Sequence, residues 1–600
     1  MKKYFRSYEW IINWLHDKLT QRQFLIFSSM LVGLSAGVAA VALKLTVHYI
    51  HLAITYNYHF KYQYYLYLIF PSIGILLTVW FVKKHLHGKL GRGASNILYA
   101  IAKKSSFLPK DQMYSHVVTS ALTVGFGGSA GLESPMVTTG AAIGSNYSRT
   151  YHITYKERTL LLASGAAAGI AAAFNSPIAG VLFALEVLLV DVAISAFIPL
   201  IISAAAGALL SKIILGSNST DPAHGDFLLS FKSVTPFNYH NVPYYIMLGL
   251  LAGLVSVYYA RVFLRIEQYL KPKKKNIYLR ALGGGLVLAV LILFFPPLFG
   301  EGYDSIKMLS DSHPEKVFEN GILAGFTASK WILLLFVVLA MLFKAVAAAF
   351  TIGSGGNGGN FAPSLFVGGF LGFAFATLIN LSGVSDVPVS NFTIVAMAGI
   401  LSGVFHAPLT GIFLIAEITG GYELMIPLML VSAVSYTVVK YFEPHSMDTK
   451  RLAKKGHIFT SDKDKNILAT MKTAKIIETG FQIVMPDFTL GQLVEIVAHS
   501  NRNIFPVVDK NEKLLGVILL DNIREIMFKQ EMYDVPVRQL MRKPPAFISP
   551  DEDMNSVMKK FDETGAWNLP VIDEGRYMGF ISKSSIFTKY RENLVKSNIS

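Results

Sequence analysis

G-G-S-A-G-L-E-S-P, Gly127 to Pro135, returns as G-G-N-G-G-N-F-A-P from Gly355 to Pro363, with three glycines and the proline in register. The one ionisable residue of the first copy, Glu133, is Phe361 in the second. A second pair lies nearby: F-N-S-P-I-A-G-V-L-F-A-L-E, ending at Glu186, against F-H-A-P-L-T-G-I-F-L-I-A-E, ending at Glu417. The offsets are 363 − 135 = 228 and 417 − 186 = 231. Glycine-rich interruptions at matching places in two apolar halves are the mark of a membrane transport protein, whose ion site lies where the duplicated helices break.

Composition agrees. Of 600 residues, 52% are hydrophobic and 16% charged, against about 25% charged in soluble chains. The long apolar runs stop at about Ser446, and mixed sequence follows to Ser600, so a membrane domain is expected to carry a soluble tail. Without cysteine there is no disulfide, thiolate metal site or cysteine nucleophile. The net charge of +15 is not a nucleic-acid footprint, because its residues cluster beside apolar segments, as positive-inside bias requires. Lys2, Lys3, Arg6, Lys18 and Arg22 precede the first apolar run, which no small-residue cleavage site follows; the N-terminus is expected to be cytoplasmic and uncleaved. The 217–243 loop has Lys232 as its only Lys or Arg, whereas Lys271, Lys273, Lys274, Lys275 and Arg280 crowd the next, placing the first outside and the second inside. The two repeats are then inverted in the membrane.

Spans of about 20 residues are predicted at 24–47, 64–82, 192–215, 244–264, 279–295, 330–350 and 424–441. Pieces read as too short to cross lie at 117–125, 135–143, 166–174 and 394–405. Helices that stop inside a bilayer leave orphan N–H groups, tolerated where they line a cavity, and at an N-terminus those groups suit an anion. Glu133 has a bland reading, a helix cap among glycines that let helices pack. Against it, an ionisable side chain in a membrane domain costs about 2.5 kcal/mol or more and is functional by default. A carboxylate can occupy an anion's place among backbone N–H groups and leave it when protonated.

The chain resembles the CLC chloride channels and proton-coupled chloride antiporters over nearly its whole length. G-L-E-S-P from Gly131 is similar to the family's G-R-E-G-P, which implies Glu133 as the external gate and proton carrier, with Gly131, Leu132 and Ser134 at the anion site. G-N-F-A-P-S from Gly359 is similar to G-x-F-x-P, which implies that the amides of Asn360 and Phe361 bind the central anion. The segments ending at Glu186 and Glu417 resemble the helices of the family's dimer interface, and both glutamates are read as structural, hydrogen-bonded to backbone at helix ends. G-R-G-A-S from Gly91 is a weaker likeness of G-S-G-I-P. It puts Arg92 at the place of an anion-coordinating serine and Ser95 at that of a proline, while Asp448 falls where relatives carry the tyrosine that closes the inner end. Arg92 and Asp448 are therefore placed in the anion-binding set and expected to face each other. Val187 stands where many proton-coupled members carry an inner glutamate. His406 is read as a core residue.

Within the tail, I-F-P-V-V-D at 504–509 repeats as N-L-P-V-I-D at 568–573, an offset of 64. Each copy has a helical pattern before it and a strand after it, so two small α/β units are expected to stack. They resemble a CBS pair, which in many proteins binds adenine nucleotides. The ribose-binding pattern is incomplete, with Leu519 and Asn522 in one copy and Ser582 and Ser585 in the other, so a dimerising platform stands beside nucleotide sensing. Gly353-x-Gly355-x-x-Gly358 follows an alanine-rich helical run rather than a strand and is not a dinucleotide fingerprint.

The expected fold is a mostly α-helical polytopic membrane protein of two inverted repeats with broken helices, plus a C-terminal α/β CBS pair. Its expected boundaries are 1–445 for the membrane domain (repeats about 24–216 and 243–441), 446–467 for a helix and linker, and 468–530 and 531–595 for the CBS units. The expected function is homodimeric transport of chloride or a similar anion across the cell membrane, gated by Glu133 and coupled to or regulated by protons. The CBS pair is placed in the cytoplasm. No cofactor, metal, nucleic-acid partner or enzymatic activity is expected. The alternatives are a passive channel of the same fold, favoured by Val187, a CBS-regulated divalent-cation channel, and a nucleotide-binding module that leaves the apolar bulk unexplained.

Overall fold

The computed structural model describes residues 19–55, 63–91, 93–151, 153–189, 196–216, 234–270, 276–310, 314–318, 329–453, 468 and 471–599. It divides into two compact units, Met1–Lys455 and Gly456–Ser600. The first is almost entirely helical. Its first repeat runs α1 (Gln21–Thr55), α2 (Gln63–His85), α3 (Gly93–Lys103), α4 (Gln112–Gly125), α5 (Glu133–Thr150), α6 (Tyr155–Phe174), α7 (Pro177–Phe183) and α8 (Phe197–Gly216). A π-helical turn, Ala184–Leu188, follows α7. The second repeat runs α9 (Val242–Tyr269), α10 (Ile277–Phe294), α11 (Tyr303–Ser310), α12 (Lys330–Gly353), α13 (Phe361–Ser382), α14 (Val389–Phe405), α15 (Pro408–Ile418) and α16 (Met425–Phe442). A short α17 (Met447–Ala453) closes the unit, so the division falls at 455/456 rather than at Ser446, because α17 packs on α3.

Eight helices among the described residues are long and apolar enough to cross a membrane. The sequence pattern misses the one at Phe361–Ser382, because its start belongs to the glycine-rich loop. The pieces read as too short belong to longer helices: 117–125 to the 14-residue α4, 135–143 to the 18-residue α5, 166–174 to the 20-residue α6 and 394–405 to the 17-residue α14. Small and polar residues hid the rest of each. The added turns of α5 and α6 meet each other, where a Cβ on Gly144 would lie 2.1 Å from the carbonyl of Leu161, and Gly140, inside the predicted piece, packs equally closely on Gly165.

The two repeats hold each other by reciprocal bonds. Gly128 N–H donates to Thr123 O at 2.8 Å and Gly356 N–H to Thr351 O at 3.1 Å, within each copy. Across the copies, Ser129 N–H donates to Thr351 Oγ1 at 3.1 Å and Asn357 N–H to Thr123 Oγ1 at 2.9 Å. Gly127 and Gly355 both adopt positive φ, +88° and +124°, which glycine alone takes without strain. Further along, the Glu186 carboxylate accepts from Leu409 N and Thr410 N at the start of α15, and Glu417 accepts from Ile178 N and Ala179 N at the start of α7. Each glutamate satisfies orphan amides of the opposite copy. His406 is not a core residue. It ends α14 in a left-handed conformation, φ +57°, as Asn175 ends α6 at +54°, and it is half-buried.

In the second unit, α18 (Leu490–Ala498) precedes a hairpin of β1 (Ile504–Val508) and β2 (Leu514–Leu519), and α19 (Met554–Thr564) precedes one of β3 (Asn568–Asp573) and β4 (Arg576–Ser582), with α20 (Lys583–Ile599) last. Both hairpins are antiparallel and slip register at equivalent places, Val507/Val508 and Val571/Ile572. Phe481, Ile504 and Val517 of the first copy pack with Phe580 of the second, so the units stack through a shared apolar seam.

Candidate functional site

Each glycine-rich loop delivers the N-terminus of a helix, α5 at Glu133 and α13 at Phe361, and neither N-cap side chain bonds to its own helix. The loops meet in an antiparallel bridge, Gly131 N–H to Gly359 O at 2.9 Å and Gly359 N–H to Gly131 O at 2.7 Å. Neither glycine has positive φ; what both positions require is closeness. A Cβ on Gly131 would lie 2.1 Å from Glu133 Oε2, and one on Gly359 would lie 2.6 Å from Ser134 Cβ.

Beside the bridge lies a cavity of about 30 Å³, lined by Ser134, Gly359, Asn360, Phe361, Asp448 and Arg451 among others. That is room for one or two water-sized species. The N–H groups of Asn360 and Phe361 have no protein acceptor among the described residues. Tyr259 OH holds the Asn360 side chain at Oδ1, 3.1 Å, and the Phe361 ring packs against Phe174, Phe183 and Phe405 with centroids 5.1–6.3 Å away. Unpaired amides at a helix N-terminus, within an aromatic wall, favour a small anion.

Glu133 is 3% exposed. Tyr303 OH donates to its Oε1 at 2.5 Å. Its carboxylate lies against the backbone N–H groups of Glu133 itself and of Ala362, on the opposite repeat, and Oε2 completes no hydrogen bond of ordinary geometry there. The carboxylate thus fills the space in front of the Ala362 amide.

Of the residues singled out in the sequence, Ser134, Asn360, Phe361 and Asp448 come together around the cavity, with Glu133 adjoining. Gly131 and Leu132 do not line it. Gly131 is spent on the bridge, and Leu132 N–H donates to Glu301 Oε1 at 3.2 Å. Arg92 lies outside the described residues, so its expected pairing with Asp448 does too. Asp448 accepts from Ser95 Oγ, at 3.1 Å on Oδ1 and 2.9 Å on the carbonyl. The serine that displaces a proline thus ties α3 to α17.

Sequence reasoning missed five polar residues. Arg451, three residues beyond Asp448, lines the cavity and pairs with Glu267 of α9 at 3.0 Å. Glu301, Tyr303, Lys44 and Lys344 gather near Glu133. Lys44 and Lys344 stand inside predicted spans and carried the intramembrane-charge signal that drew attention to Glu133.

In the tail, Ser582 and Ser585 bond to each other, Ser585 N–H to Ser582 Oγ at 2.9 Å, and Ser582 Oγ donates to Glu478 at 2.7 Å. Asn522 Nδ2 is buried without a hydrogen-bond partner.

This is a polytopic membrane protein in which two helix N-termini, joined by the loop bridge, flank a small cavity. The family model described as voltage gated chloride channel matches residues 73–440, and the CBS domain model matches 474–529 and 537–592. The chain belongs to the voltage-gated chloride channel (CLC) family and carries two CBS domains. It is 30% identical over 394 residues to a putative chloride channel protein ClcB-like from Ralstonia nicotianae, covering 64% of this chain and 85% of that one. It is 28% identical over 340 residues to the voltage-gated ClC-type chloride channel ClcB of Escherichia coli, covering 56% and 75%. Among solved structures, a slow cyanobacterial Cl−/H+ antiporter superposes with a TM-score of 0.62 at 22% identity, over 73% of this chain and 99% of that one. A eukaryotic CLC transporter gives 0.60 at 19%, over 94% and 97%.

Proposed function

We propose that this chain moves chloride or a similar small anion across the cell membrane as a homodimer, with Glu133 as gate and proton carrier in each subunit. The observation that carries this is the Glu133 carboxylate lying against the Ala362 amide of the other repeat, beside a cavity with the free amides of Asn360 and Phe361. Protonation removes the charge that holds the carboxylate there and lets it swing away, so anion and proton compete for one place. The names of its relatives and structural neighbours, chloride channels and a Cl−/H+ antiporter, support the same reading. So does the second carboxylate at the gate, Glu301: it comes with Lys44 and Lys344, and two ammonium groups repel the divalent cation that paired carboxylates would otherwise attract.

The dimer rests on the likeness of the segments ending at Glu186 and Glu417 to the family's interface helices. The basic flanks support an N-terminus and CBS pair in the cytoplasm, where the pair adjusts transport, with or without an adenine nucleotide. Transport needs no cofactor and no catalytic residue. Purified protein in vesicles, with anion and pH followed together, tests the proposal. Anion flux accompanied by opposite proton movement is the expected result. Anion flux with no proton movement selects the passive channel that Val187 favours, and no anion flux ends the proposal.

A further inference from the structure

Beside the loop bridge, the membrane unit concentrates charge. Lys344 of α12 is fully enclosed, donates to Gly300 O at 3.1 Å and lies 4.7 Å from the centre of the Phe366 ring. The next residue after Gly300 is Glu301, which is half-buried and holds the Leu132 N–H directly before the gate. Two residues on, Tyr303 of α11 holds Glu133 itself. From α1, Lys44 donates to Ala172 O at 3.4 Å and interacts electrostatically with both Glu133 and Glu301.

The charged and polar groups that interact electrostatically with Glu301 are Glu133 of α5, Lys44 of α1, Lys344 of α12 and Tyr303 of α11. Asp304 and His51 interact with each other farther along α11 and α1. With both carboxylates ionised, two negative charges meet two positive ones and the cluster is neutral. A proton on either carboxylate leaves it at +1, next to a cavity already lined with free amides. Two carboxylates that share the same neighbours affect each other's protonation, so a proton taken up at one changes the other. Glu133 is enclosed, while Glu301 keeps an exposed face just past the end of α10.

We propose that Glu301 is a second proton-binding carboxylate of the gate, which takes up a proton alongside Glu133 and, set against Lys44 and Lys344, makes the cavity draw an anion more strongly when protonated. This deepens the transport reading and rests on it. Removing the charge of Glu133 then leaves part of the pH response in place, carried by Glu301.

The full-length Glu133→Gln variant in vesicles is assayed for chloride flux from about pH 4 to about pH 8, the range in which shifted carboxyl groups titrate. Its flux is expected to rise roughly tenfold as pH falls, the effect of one extra positive charge near the cavity. Adding Glu301→Gln is expected to hold flux at its acid level at every pH, and adding Lys344→Met to lower it. A Glu133→Gln variant whose flux is already independent of pH overturns the proposal, with no further variant needed. So does a pH response unchanged by Glu301→Gln. Infrared difference spectra of the solubilised protein give a readout that needs no transport: Glu133→Gln keeps a titrating protonated-carboxyl band that Glu133→Gln/Glu301→Gln lacks. If the wild type moves no anion while that band is present, the transport reading fails and the proton site stands; if the band is missing, the proton site fails.

Discussion

Gly131 and Gly359 exchange two backbone hydrogen bonds, at 2.9 and 2.7 Å, and so join the loops that begin the two halves of the membrane unit's central site. The bridge uses one amide of each loop and fixes the rest, so the N-termini of α5 and α13 face one cavity. Because the contact is backbone to backbone, it tolerates no side chain. Gly359→Val is expected to weaken anion binding about tenfold, the scale of a tight overpacking cost. Calorimetric anion titration measures this, and wild-type affinity in a folded Gly359→Val protein contradicts it. Substitutions of Asn360 that keep the loop geometry are expected to matter less, since the proposed site uses its backbone amide.

Glu133→Gln and Glu133→Ala are expected to stop proton movement while anion flux continues, because both remove the carboxylate charge now lying against the Ala362 amide. The check is a vesicle assay with a pH-sensitive dye and an anion electrode. Proton movement at the wild-type ratio in both variants rules Glu133 out as the carrier.

Thr123 and Thr351 perform the same task for opposite repeats, each accepting the amide of the other copy's loop. Replacing either by valine leaves a buried N–H without its partner, a loss of about 1–3 kcal/mol. Thermal unfolding of the two variants is expected to show similar destabilisation. A clear loss in one and none in the other would mean that the symmetry is geometric and not energetic.

At the other end of the cavity, Ser95, Asp448 and Arg451 bring α3, α17 and α9 together through the Arg451–Glu267 pair. Arg451→Gln is expected to lower apparent anion affinity several-fold, since one cation near a small anion contributes on that scale even when well screened. A flux double-mutant cycle with Arg92→Ala and Asp448→Ala tests the expected pairing of those two; effects that add dismiss it.

The membrane unit ends at Lys455, and everything that builds the cavity lies before that point. A protein stopping there is expected to carry anions, with altered regulation, if it folds. A folded, flux-dead truncation places an essential part of transport in the CBS pair.

How much of this was legible in the chain follows from the range of each force. Gly127 and Gly355 show in the sequence because a positive φ is a local demand that one residue type meets, and the duplicated proline and glutamate positions show because helix ends have local needs too. Hydropathy exposed the long spans for the same reason, but it failed at α5 and α6, whose glycine and alanine faces satisfy a neighbouring helix and not lipid. Glu133, the proposed gate, stood out as the one acid in a repeated loop. Its surroundings were not: Lys44, Glu301, Tyr303 and Lys344 are spread over 301 positions (344 − 44 + 1), and no local pattern says that they converge. Likewise the sequence marked Ser95 and Asp448 as departures, while only packing showed that the two bond to each other. The sequence by itself determined the class and the two-fold repeat, because these are written in local conformation and composition. The tertiary structure alone decided which amides stay free and which charges meet, because both depend on side chains brought together from distant parts of the chain.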